Sequence, residues 1–242
     1  PGGGGHPERR RDRRRRVRGA EGVVLALVAL REAGRPARLA QLRHRHVLAI
    51  YGAGQHCPRH AEDGGDSPHT RSLDARAGLW TELIEGRNLA SVVAQEGSLA
   101  PAEALRIAHE LAGALAAIHA AGLIHGDVKA ENVIREAGGR SVLMDFGSAG
   151  GDAEVAARSV LQATPRYLPP EVREGRSLPT SAIDLYALGV LLHFLLTGRY
   201  PDPQSPLAML RPDLDRRVVQ LVSGMLDEDP AQRPRDARQL FA

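Results

Sequence analysis

Two short polar stretches constrain this chain more than anything else in it. His125-Gly126-Asp127-Val128-Lys129-Ala130-Glu131-Asn132 is followed, thirteen residues after Asn132, by Asp145-Phe146-Gly147. A carboxylate, an ammonium, a carboxamide and a second carboxylate at these intervals are the groups needed to hold a divalent metal and a polyphosphate beside a hydroxyl nucleophile. Leu123-Ile124 leads into the first stretch, and the strand-like Ser141-Val142-Leu143-Met144 delivers Asp145. Adjacent short strands of this kind can aim both loops into one cleft, so the fold must supply that cleft.

Around the pair, the hydrophobic pattern is that of a helical body. Pro101 opens a helix with Glu103 in its first turn, and Ala104, Ala108, Leu111, Leu115 and Ile118 recur at helical spacing until Gly122 stops it. His119, beside that stripe, reads as a packed or solvated side chain. Ile183 to Leu196 is apolar apart from Asp184 and His193, which is too hydrophobic for a surface helix and too short for a membrane span. It belongs at the centre of a helical unit. Leu214 to Leu226 is amphipathic, Asp229-Pro230 breaks it, and Pro234 to Phe241 reads as a closing helix.

Upstream the pattern thins. Val23 to Leu30 reads as a buried strand or the start of a buried helix, which periodicity does not distinguish. Leu39, Leu42 and Val47, followed by Leu48 to Gly52, suggest a helix running into a strand, and Gly78 to Gly86 alternates like a strand ended by a glycine. Between them Ala53 to Arg76 is rich in Gly, Asp, His and Arg and reads as a long exposed loop. His56, Cys57, His60 and His69 fall in or beside it, but without a paired Cys-x-x-Cys framework they read as solvated side chains rather than zinc ligands.

Charge is distributed unevenly. The formal net charge is +3, yet residues 1 to 18 alone carry +6, from eight arginines against Glu8 and Asp12. The remainder is net −3, so affinity for nucleic acid or acidic lipid would rest on this arm alone, and no aromatic residue interleaves its arginines. Pro1 to Ala20 has Val17 as its only large apolar residue and reads as a disordered Gly/Arg-rich arm. The arginines ahead of Val23 to Leu30 imitate a secretory signal, but Arg31-Glu32-Ala33-Gly34-Arg35 stands where a small-residue cleavage site belongs. Cys57 is the only cysteine, which rules out an internal disulfide and fits a reducing, cytoplasmic setting. The chain starts at Pro1 rather than Met and reads as a piece of a longer one. Its 242 residues, 43% hydrophobic, suffice for one large domain or two small lobes sharing a cleft, and no apolar run spans a membrane.

With these residues placed, the chain resembles a protein kinase of the bacterial serine/threonine type from about Leu79 to Ala242. The resemblance implies an α+β, bilobal protein kinase-like fold with a reduced β-rich amino-terminal lobe over residues 21–86 and a mainly helical carboxy-terminal lobe over 87–242. It implies ATP and Mg2+ as cofactors and a protein substrate with a Ser or Thr acceptor. His125-Gly126-Asp127 stands for the His-Arg-Asp triplet: Asp127 is then the catalytic base, Lys129 neutralises the transferring phosphate, and Asn132 and Asp145 bind the metal. Thr81 stands at the gatekeeper position, with the backbones of Glu82 and Ile84 on the adenine edge. Thr164-Pro165-Arg166-Tyr167-Leu168-Pro169-Pro170-Glu171 is similar to the substrate-docking loop, with Thr164 bonding Asp127 and Lys129. Glu171 pairs with Arg233, and Asp184 holds the catalytic loop from below.

The departures lie upstream. No Gly-x-Gly-x-x-Gly-x-Val is present, and Gly2 to Gly5 run into His6-Pro7. The strand lysine is missing, because Lys129 is the only lysine in the chain. Arg31 could stand in its place, or Glu32 could be the acidic partner on the regulatory helix, but adjacent residues cannot be both. Gly126 replaces the arginine that pairs with a phosphorylated activation loop. Two alternatives therefore stand beside the protein kinase: a pseudokinase or scaffold module, and a small-molecule phosphotransferase resembling the aminoglycoside enzymes, which share His-Gly-Asp followed by Asn.

Overall fold

The computed structural model describes residues 17–18, 23–26, 41–56, 76–146, 149 and 164–240. Within them four strands form one antiparallel sheet: β1 (Val17–Arg18), β2 (Val23–Ala26), β3 (Ile50–His56) and β4 (Arg76–Glu82), in the order β1-β2-β4-β3. Val24 lies opposite Thr81 and Ile50 opposite Thr81 on the other side, so β4 is central.

Several expectations are corrected here. Val17 and Arg18 belong to a strand opposite Leu25 and Val24, not to a disordered arm, while residues 1–16 lie outside the described residues. Ala53 to His56 and Arg76 are strand rather than loop, with Gly54 opposite Gly78 and His56 opposite Arg76. Composition misled there because a ladder between neighbouring backbones satisfies N–H and C=O groups whatever the side chains. Residues 57–75, with Cys57, His60 and His69, lie outside the described residues, as do Arg31 and Glu32. Gln41 is helical and Leu39 lies outside the described residues, while Leu42, Val47 and Leu48 are buried in the irregular stretch between Gln41 and β3.

A second sheet, β5 (Gly86–Asn88), β6 (Val133–Glu136) and β7 (Ser141–Leu143), lies with the helices. Gly86, placed by sequence at the end of the first lobe, pairs with Glu136 and so joins the second. Helix α1 (Leu89–Glu96) starts at Asn88, whose side chain caps Ser91 N–H at 2.8 Å. Helix α2 (Pro101–Ala120) follows as its pattern predicts. Short α3 (Pro170–Arg173) precedes α4 (Ala182–Thr197), which is apolar all round and buried along nearly its whole length. The remaining helices are α5 (Leu207–Leu210) and α6 (Arg216–Met225). At Gly189 a Cβ would stand 2.7 Å from the Met225 Cβ, so the close crossing of α4 and α6 requires glycine there. The closing helix expected over Pro234 to Phe241 reduces to one 3-10 turn, Ala237–Gln239, started by Asp236 accepting from Arg238 N–H at 2.9 Å. Among the described residues no helix is long and apolar enough to cross a membrane.

Candidate active site

The loop between α2 and β6 is suspended from α4. Asp184, 1% exposed, accepts His125 N–H on Oδ2 at 2.9 Å and Gly126 N–H on Oδ1 at 2.8 Å. His119 Nε2 closes on the same Oδ2 at 2.8 Å. A buried carboxylate survives only when its lone pairs are satisfied, and each hydrogen bond to a charged group contributes about 1.5–3 kcal/mol. Gly126 has φ of 76°, a left-handed turn that costs glycine little and presents two successive N–H groups to Asp184.

That turn sets the polar cluster. Lys129 Nζ donates to both Asp127 oxygens, at 2.8 and 2.7 Å. Asn132 Nδ2 donates to Asp127 O at 2.9 Å and to Asp127 Oδ2 at 2.7 Å. The Asn132 amide oxygen accepts no hydrogen bond among the described residues and is left as a donor atom for a cation. His125 underlies the cluster: Asp127 N–H points to its Nδ1 at 3.3 Å, and its Nε2 meets Met144 O at 3.1 Å. Burial holds the His125 imidazole below its ordinary pKa, against the opposing charges of Asp184, Asp127 and Asp145, so Nε2 carries the proton it donates to Met144 O.

Asp145 is brought to the same place from β7. Met144 N–H donates to Asn132 O at 2.8 Å, and the Phe146 ring meets His125 edge-on, centroids 5.1 Å apart. Asp145 has φ of 67°, the only positive value among described non-glycine residues. Such a conformation is sparsely populated and persists only where surroundings enforce it. Asp127, Lys129 and Asn132 are joined by hydrogen bonds, and the Met144 N–H to Asn132 O bond sets the backbone of Asp145 beside them. Among the described residues no group of three or more His, Cys, Asp or Glu forms a metal cage. Asn132 and Asp145 carry side-chain oxygens of the kind that could hold a divalent cation whose other ligands are phosphate and water.

Glu82 and Ile84 sit at the end of β4 and just beyond it. Glu82 turns its carboxylate to Ala49 N–H at 2.8 Å and towards Arg140 at 3.6 Å, not to the Asp127 group. Ile84 is buried. Thr81 beside them is 4% exposed. This strand reaches the loop through the irregular crossing: Leu48 N–H donates to Leu143 O at 3.0 Å and Leu143 N–H to His46 O at 2.9 Å.

Downstream, the Glu171–Arg233 pair forms as expected, fork to fork at 2.7 and 2.8 Å, with both side chains buried. Burial pushes the Glu171 carboxyl up, but the hydrogen bonds and charge of Arg233 outweigh it and hold the group below its ordinary value. Thr164 departs from expectation. Its hydroxyl makes no hydrogen bond to Asp127 or Lys129 among the described residues, while the Lys129 ammonium forks onto Asp127. The link from this segment to the catalytic loop is Tyr167, whose hydroxyl accepts Ala130 N–H at 3.4 Å. Sequence reasoning also missed His119 as a partner of Asp184. A histidine two turns or fewer from a loop that a buried aspartate must hold was the available signal.

Comparison with known proteins agrees with this geometry. The model of the protein kinase domain family matches residues 33–242. The chain is 34% identical over 200 residues to the serine/threonine-protein kinase PknL of Mycobacterium tuberculosis, covering 80% of this chain and 45% of that protein. It is 37% identical over 187 residues to the serine/threonine-protein kinase pkn2 of Myxococcus xanthus, covering 67% and 22% respectively. It is 36% identical over 183 residues to PkaB of Streptomyces coelicolor, covering 68% and 43%. The chain thus spans less than half the length of these curated relatives. The match over residues 33–242 places this chain in the protein kinase domain family.

Proposed function

We propose that the chain transfers the γ-phosphate of ATP to Ser or Thr hydroxyls of a protein substrate. The observation that carries this reading is the Asp127–Lys129–Asn132 cluster, held at hydrogen-bond distance and hung from buried Asp184. Asp127 accepts the hydrogen bond of the acceptor hydroxyl and orients it. Lys129 moves from Asp127 towards the transferring group and offsets its charge. Asn132 and Asp145 offer oxygens to Mg2+, which when bound neutralises phosphate charge. The backbone of Glu82 and Ile84 receives the adenine edge. Positioning and charge stabilisation are what phosphoryl transfer demands of a protein. The single cysteine fits a cytoplasmic setting for this chemistry.

One observation favours a second reading, a binding module without turnover: Lys129 is the only lysine, so no strand lysine clamps the phosphates. Loss of such a clamp removes about 3–4 kcal/mol, a hundredfold to a thousandfold in rate, by analogy with lost transition-state donors. One experiment separates the readings. Nucleotide-dependent thermal shift with and without Mg2+ is run beside phosphate transfer to a generic protein substrate, for the wild type and Asp127→Asn. The kinase reading expects both to bind nucleotide and Asp127→Asn to lose about 10²–10⁴-fold in transfer. Binding without any Asp127-dependent transfer establishes the module, and transfer to an aminoglycoside but not to protein establishes the small-molecule enzyme.

A further inference from the structure

Arg140 bridges the two halves of the molecule with one guanidinium. Its Nε and Nη2 fork onto the Glu136 carboxylate at 2.8 and 2.9 Å, across the turn that joins β6 to β7. Its Nη1 donates to Arg45 O at 2.9 Å, in the irregular stretch ahead of β3. Its Nη2 also stands 3.6 Å from Glu82 Oε2, at the end of β4. Glu82 is itself clasped to the stretch that Arg45 belongs to: its N–H donates to Ala49 O at 3.1 Å, and its Oε1 accepts Ala49 N–H at 2.8 Å. A single cation therefore ties together the β6–β7 turn, the approach to β3 and the last residue of β4.

The turn holds Arg140 in place for this. Glu136 N–H donates to Arg140 O at 3.0 Å and Gly139 N–H to Glu136 O at 2.9 Å. Backbone pairing sets Arg140 beside Glu136, and the planar guanidinium then serves a carboxylate with one edge and a carbonyl with another. All three side chains are partly exposed, so the attraction across the seam is modest. Two carboxylates share one guanidinium here, and removing it leaves like charges on β4 and on the β6–β7 turn with no cation between them.

We infer that Arg140 is a positioning residue, a latch that fixes the end of β4 against the helical half and so sets the affinity for the nucleotide base. The inference rests on the reading above in which the backbone of Glu82 and Ile84 receives the adenine edge. Arg140 bonds to Glu136 and Arg45 and approaches Glu82, whereas the Asp127 loop hangs from Asp184, so base binding and phosphate transfer respond to it differently.

The test titrates adenosine, which carries the base without phosphate charge, into wild type, Arg140→Ala, Arg140→Lys, Glu82→Gln and the double variant Glu82→Gln/Arg140→Ala, and follows phosphate transfer against ATP concentration for each. Arg140→Ala is expected to weaken adenosine about fivefold, the size of one partly exposed ion pair, and to raise the KM for ATP by a similar factor while kcat stays within about twofold. Arg140→Lys keeps the charge without the fork and recovers part of the affinity. Glu82→Gln retains an oxygen for Ala49 N–H and removes the repulsion that Arg140→Ala creates, so the double variant binds adenosine more tightly than Arg140→Ala alone. Equal adenosine affinity in wild type and Arg140→Ala overturns the inference, as does a double variant no tighter than Arg140→Ala, or a fall in kcat as large as the rise in KM. Arg140-dependent adenosine binding with no phosphate transfer upholds the latch and overturns the kinase reading. Transfer by a wild type that binds no adenosine overturns the latch and leaves the kinase reading standing, and a wild type that shows neither overturns both.

Discussion

The catalytic loop hangs from the helical half of the molecule and only leans on the sheet half. Towards the helices it is held by buried charge: Asp184 on His125 and Gly126 N–H, and further down the Glu171–Arg233 fork. Towards the four-stranded sheet the contacts among the described residues include backbone bonds of Leu143 with Leu48 and His46, a His46 Nδ1 to Ser141 O bond at 2.8 Å, an Arg140 to Arg45 O bond at 2.9 Å and the Arg140–Glu82 approach at 3.6 Å. The difference teaches that, among the described residues, the Asp127 cluster takes its buried charged anchors from the helices rather than from the four-stranded sheet. A chain of this kind can lose its strand lysine and still present an ordered Asp127 cluster, which is the combination found here.

The largest expected effect comes from separating the two kinds of tether. Glu171→Ala strands Arg233 as a buried, unpaired charge and is expected to cost about 3–5 kcal/mol in urea unfolding. Arg140→Ala removes the partly exposed approach to Glu82 across the seam and is expected to cost about 1 kcal/mol or less. Equal losses from the two variants would erase the distinction between the halves.

Asp184→Asn acts at the tether itself and has a smaller effect on stability. One carboxylate oxygen becomes an NH2 group, and whichever way the amide turns it faces an N–H donor across about 2.9 Å. The expected cost is about 2–3 kcal/mol, the penalty for one buried donor left without an acceptor. Hydrogen exchange should rise across His125 to Asn132 while the Arg76–Glu82 ladder keeps its protection. Exchange that rises in both segments together would mean that sheet and loop form one unit.

Legibility followed the same division. In the helical half, the apolar run Ile183 to Leu196 announced a buried helix, the kinase resemblance gave Asp184 within it the role of anchor, and Pro101 and Gly122 marked the ends of a helix that the structure places at Pro101–Ala120. The candidate residues Asp127, Lys129, Asn132 and Asp145 stood out because short polar groups at fixed intervals between apolar strands have few other uses. What escaped were contacts that no local pattern encodes. His119 reaches Asp184 across 65 positions, and Arg166 finds Tyr200 through the folding of an intervening helix. In the sheet half, β3 continues through Gly52-Ala53-Gly54-Gln55-His56. Glycine and polar residues carry little strand preference, so pairing with β4 decided the matter. The 3-10 turn at Ala237–Gln239 failed as a helix for a local reason, since Asp236 starts a turn that only Leu240 continues.

The smallest effect, and the one that compares body and seam directly, is acid sensitivity. Burial lowers the pKa of His125 in the catalytic loop and of His193 in α4, and it lowers that of His44 at the seam with help from the charges of His46 and Arg45. His193 is held by Arg199 O at 3.0 Å and Thr197 Oγ1 at 3.3 Å. When the folded pKa lies below the unfolded value, the unfolded chain binds more protons in the interval between them, so stability falls as pH drops through it. The interval opens at the ordinary histidine value of about 6.5. Glu171, also held below its ordinary value, contributes stability that is lost only at lower pH, as the medium falls through the carboxylate range. Urea midpoints are therefore expected to hold above pH 7, to decline from about pH 6.5 through the histidines, and to decline again in the carboxylate range. His125→Asn should flatten the first decline. If His44→Asn flattens it more, the seam with the sheet opens first on acidification, and the loop leans on the sheet more heavily than its bonds to Asp184 imply.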